Sequence, residues 1–106
     1  MAKYMIKASY TAEGVKGLLK EGGSSRKAAV AKMINGLGGN LESFYFAFGE
    51  TDVYAVCDFP DAVSAAAAAL AINASGAVHN AIIPLLTGED SDLACKKSVG
   101  YRPPGA

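Results

Sequence analysis

Three observations predict an α+β fold. Four segments alternate apolar and polar residues. Helical-period stretches follow the first and the third. A short link joins the second to the third. The order is β-α-β-β-α-β, the split βαβ or ferredoxin-like arrangement, with a further short helix at the end. The chain has 106 residues, the length of one domain with one core and a tail over 98–106. A domain of that size buries roughly 60–65% of the surface its unfolded chain exposes, so it needs no metal or disulfide staple.

The first strand is KYMIKASY (Lys3 to Tyr10). Tyr4, Ile6, Ala8 and Tyr10 share one side, and Met5, Lys7 and Ser9 the other. Thr11 then caps TAEGVKGLLKEG, in which Val15, Leu18 and Leu19 share a helical face. Gly22 and Gly23 end this helix, and Ser24 or Ser25 starts the next, SRKAAVAKMINGLGG. Its buried stripe is Ala29, Val30, Met33, Ile34 and Leu37, and Gly38 and Gly39 stop it.

NLESFYFAF (Asn40 to Phe48) and DVYAVCDF (Asp52 to Phe59) form a hairpin. The expected pairs are Phe48 with Val53, Phe46 with Ala55 and Phe44 with Cys57. They set large side chains against small ones beneath the helices. Ser43, Tyr45, Ala47, Tyr54, Val56 and Asp58 then occupy the other face. A slip of one residue would exchange the two sets. Asp61 caps the alanine-rich helix DAVSAAAAALAINASG, and Gly76 ends it. AVHNAIIPLLTG (Ala77 to Gly88) is the fourth strand, with Pro84 marking an edge or a bulge. EDSDLACKK is a short helix with its acids early and lysines late, matching the helix dipole. SVGYRPPGA is a turn-rich, polyproline-like tail.

Composition narrows the function classes. Ten basic residues balance ten acidic ones, leaving no basic excess to hold a phosphate backbone, so nucleic-acid binding is not expected. Apolar residues make up 51% of the chain, which sets it apart from disordered segments. No apolar run reaches membrane-spanning length, and the start lacks a signal-peptide core. A cytoplasmic location is the expectation. Cys57 and Cys95 then read as thiols. Without a CxxC or paired histidines, zinc has no evident ligand set.

No catalytic constellation stands out, and no cofactor motif is present. The candidate ligand-binding residues are Tyr45, Tyr54, Asp58 and His79. A carboxylate beside tyrosines can orient a small polar ligand or act as a base. His79 is the only histidine. It could shuttle protons or ligate haem, although no second ligand or attachment motif accompanies it. Glu50 and Asp52 read as turn residues, Gly49 as a residue free to take positive φ, and Asp61 as a cap. A second candidate is an anion site at GGSSRK. There Ser24, Ser25 and Arg26 open a helix without Walker or G-x-G-x-x-G spacing.

SYTAEGVKGLLKEGGSSR, GGNLESFYFAFGETDVYAVCDFPD and NASGAV together resemble the GYD-domain family, small bacterial proteins of ferredoxin-like architecture. The likeness covers nearly the whole chain. It implies similarity to dimeric α/β barrel proteins more than it implies an activity. The naming motif of that family is a G-x-Y-D turn. Gly49 and Asp52 match it, but Thr51 stands where tyrosine is expected.

The half-polar second sheet face would lie exposed in a monomer. Two such faces packed together make a dimeric α/β barrel with a cavity between them. A ring-like trimer is the alternative. The leading functional reading is a homo-oligomeric module that binds a small ligand or regulates. The others are a cofactor-independent oxygenase or isomerase with its site in the barrel, and a purely structural assembly module.

Overall fold

A computed structural model describes all 106 residues. In chain order the elements are β1 (Ala2–Tyr10), α1 (Ala12–Glu21), α2 (Gly23–Gly36), β2 (Asn40–Phe46), β3 (Val53–Phe59), α3 (Ala62–Ala74), β4 (Val78–Leu85) and α4 (Gly88–Cys95). The strands form one open sheet in the order β2-β3-β1-β4, every neighbouring pair antiparallel. This is the predicted ferredoxin-like arrangement, with the first helical stretch broken in two. Pro84 lies on the edge strand β4, where its missing N–H costs no ladder bond.

The core lies on one side of the sheet. Tyr4, Ile6 and Ala8 of β1 line up with Val53, Ala55, Cys57 and Phe59 of β3. Ile34 of α2 and Ala65 and Ala68 of α3 close over them. Small residues allow near approach: a Cβ on Gly39 would stand 2.2 Å from the carbonyl oxygen of Asp58.

The helix starts follow their caps. The Thr11 hydroxyl accepts from the Gly14 N–H, and the Asp61 carboxylate accepts from the Ser64 N–H at 2.7 Å. That bond holds the Asp61 carboxyl below its usual pKa. Gly22, at φ 86, serves as both the end of α1 and the N-cap of α2. The expected serine cap is absent because the chain turns two residues before Ser24, on Gly22.

Two stripes differ from expectation. On α1 the buried residue is Gly14, while Leu19 is 82% exposed and Val15 faces solvent. The backbone of α1 lies so near the α3–β4 turn that only glycine fits at the contact. On α2 the stripe is Val30, Met33, Ile34 and Leu37, without the exposed Ala29.

The hairpin keeps its expected faces but not its expected pairs. Phe46 pairs with Val53, Phe44 with Ala55 and Tyr45 with Tyr54. This is a shift of two residues, which preserves parity. The physical reason is a longer turn: residues 47–52 are spent on a loop closed by Ala47 N–H to the Asp52 carbonyl at 2.8 Å. A register irregularity between Leu41 and Ser43 makes Glu42 an extra residue in β2.

Candidate functional site

The face of the sheet away from the helices carries four rows of side chains. Alternation from the core residues fixes its members, and the strand pairings fix the rows. At one end Glu42, Asp58 and Lys3 meet. The Lys3 ammonium donates to Glu42 Oε2 at 2.6 Å and to Asp58 Oδ1 at 3.2 Å. These two bonds, that to Glu42 first, raise the Lys3 pKa. The next row is Ser43, Val56, Met5 and Ile83. Then come Tyr45, Tyr54, Lys7 and Ala81. Ser9 and His79 close the far end.

Tyr45 and Tyr54 are direct cross-strand partners, 71% and 40% exposed. Each ring leaves a large apolar body open to solvent on this face. Asp58 is on the same face, two rows away beyond Val56, and is committed to Lys3. His79 is exposed on β4 opposite Ser9, whereas Asp58 is opposite Lys3. Six residues of β1 separate those positions, roughly 20 Å. Within one chain the tyrosines come together, and Asp58 and His79 do not.

The anion candidates divide as well. Ser24 and Ser25 are exposed on the first turn of α2. Arg26 is half-buried and turns the other way, toward Tyr10. Burial pushes the Tyr10 phenol up, and the neighbouring Arg26 guanidinium pulls it back. Asp52 is held in place: its carboxylate accepts from the Tyr10 N–H at 2.8 Å, tying the hairpin loop to the end of β1. The Ser9 hydroxyl adds a second tie, donating to the Glu50 carbonyl at 2.7 Å. Gly49 lacks positive φ and has open space where a Cβ would go, so neither demand for glycine applies there. Cys57 is buried and Cys95 exposed, both free thiols. Burial, reinforced by Asp58, pushes Cys57 to about 11.

Lys3 and Glu42 were not visible as site residues in the sequence. Glu42 reaches the open face only through the irregularity in β2, which no local pattern announces.

The fold and this face define a ferredoxin-like α+β domain with one helix-covered and one uncovered sheet surface. The chain belongs to the GYD domain family, whose model matches residues 4–94. No curated protein and no solved structure matches it. No helix is long and apolar enough to cross a membrane.

Proposed function

We propose that the protein is a homo-oligomeric binding module, two copies closing their open sheet faces on each other around a small ligand. The observation that carries this reading is the uncovered face itself. Met5, Val56, Ile83, Tyr45 and Tyr54 form an apolar centre flanked by the Lys3–Glu42–Asp58 cluster. Burying a large apolar side chain contributes about 1.5–3 kcal/mol, so several on each copy favour association. The polar groups between them, Lys7 and the two phenols, are the groups a retained polar ligand would meet.

Native mass spectrometry of the protein purified from its own host tests the reading. A dimer carrying additional mass from a small molecule is expected. A strict monomer at micromolar concentration, with the Tyr45 and Tyr54 rings open to solvent probes, would refute it. A dimer without a ligand would reduce the reading to assembly alone.

A further inference from the structure

The helix side of the sheet holds a cleft of about 590 Å³ between α1, the first turns of α2 and the α3–β4 turn. It exists because α1 touches the body at one point and then lifts away. At Gly14 a Cβ would sit 2.1 Å from the Ala77 carbonyl oxygen, so the backbones are in contact. One turn later, at Gly17, a Cβ would meet nothing within 4 Å. The gap is a wedge. Its apolar walls are Leu18, Val78 and the ring of Tyr10.

Arg26 lines the wedge and also a small apolar void of about 30 Å³ deeper in the core. Its guanidinium belongs to none of the chain's ion pairs, which are Lys3 with Glu42, Lys3 with Asp58 and Lys16 with Glu13. The Asp52 carboxylate is already engaged by the Tyr10 N–H. The rim carries Glu13, Lys20 and Glu21, and Lys16 lies 3.8 Å from Glu13. The Arg26 guanidinium faces the Tyr10 phenol and has no carboxylate within ion-pair distance. A half-buried guanidinium without a carboxylate partner, at an apolar wedge, matches an acid group carried on an apolar body.

We propose that this cleft binds a small apolar carboxylate, its acid group on Arg26 and its body between Leu18, Tyr10 and Val78. The cleft and the open face lie on opposite sides of the sheet, so this site stands apart from the function proposed above.

The test is a titration of the full chain with phenylacetate, followed by amide NMR, with phenethylamine as the cation of similar shape. Saturable shifts at Tyr10, Gly14, Gly17 and Val78 are expected with phenylacetate and not with phenethylamine. Arg26→Gln should weaken binding about tenfold or more through loss of the charge-assisted pair. Gly17→Leu should abolish it by filling the wedge, and its Cβ has room, so the helix stays formed. Equal response to the amine, undiminished binding by both variants, absence of saturable shifts, or shifts confined to Tyr45 and Tyr54 would each overturn the proposal.

Discussion

Gly14 and Gly17 lie one turn apart on α1 and meet opposite surroundings. A Cβ at Gly14 collides with the Ala77 carbonyl, whose oxygen already accepts from Thr11 N–H at 3.0 Å. Gly14→Ala must push α1 off the α3–β4 turn and should cost about 1–3 kcal/mol. Gly17→Ala has open space and should gain about 0.5–1 kcal/mol from helix propensity. Urea midpoints of the two variants should therefore move in opposite directions. Cys57 and Cys95 offer a similar contrast. With its pKa near 11 and its sulfur buried, Cys57 has almost no accessible thiolate at neutral pH. Iodoacetamide should label Cys95 on the native protein and Cys57 only in denaturant, with mass spectrometry reading the adducts. Asp61 supplies a pH dependence of known sign. Its folded pKa is lowered by the Ser64 N–H. Its contribution is full above the unfolded value of about 3.9 and fades as pH falls through the lower folded value. Asp61→Asn should therefore flatten the acid limb of a stability–pH curve while leaving its slope near neutrality unchanged.

At the scale of elements, the sequence was readable wherever period and cap coincided. Thr11 and Asp61 stand where the helices begin, and the alternation of β1 and β3 names their buried residues. It failed where a tertiary contact decided. Nothing local says that β2 inserts Glu42 or that Asp52 reaches Tyr10, because those groups meet across about forty residues of chain. The alanine run of α3 has no face of its own. The sheet selects Ala65 and Ala68, and leaves Val63 and Leu70 outside. The candidate site was half legible for the same reason. Parity places Tyr45 and Tyr54 on one face, but it does not measure the distance from Asp58 to His79. α4 poses the remaining question at this scale. Its capping box is complete, with the Thr87 hydroxyl accepting from Asp90 N–H at 3.0 Å and the Asp90 carboxylate accepting from Thr87 N–H, yet it buries no residue. Helices this short are marginal in water unless something packs against them. Deleting residues 88–106 should leave the stability of the isolated protomer within about 0.5 kcal/mol. Equilibrium denaturation in dilute solution checks this, and a larger loss would mean that α4 docks on its own body.

The whole molecule is more extended than a ball of its length. Its radius of gyration is 16.6 Å and its longest axis 55 Å, against roughly 13 Å expected for the radius of a compact domain. The extension comes from α4 and the tail, where every residue of 88–106 is exposed, and the uncovered face is where the proposed second copy would close. If two faces close on each other, folding and association are linked by mass action. Each tenfold rise in protein concentration then adds about 1.4 kcal/mol to the unfolding free energy of the dimer, and the melting temperature climbs with concentration. Tyr54→Asp places a charge at the centre of the face, opposite Tyr45 and beside Lys7. In the protomer that position is solvated, so the circular dichroism spectrum should be unchanged. In the closed pair the carboxylate and the Lys7 ammonium beside it would be desolvated together, a cost of several kcal/mol. Tyr54→Asp should accordingly sediment as a monomer, and its melting temperature should stop depending on concentration. A variant that still sediments with the wild-type protein would place the subunit contact elsewhere on the molecule.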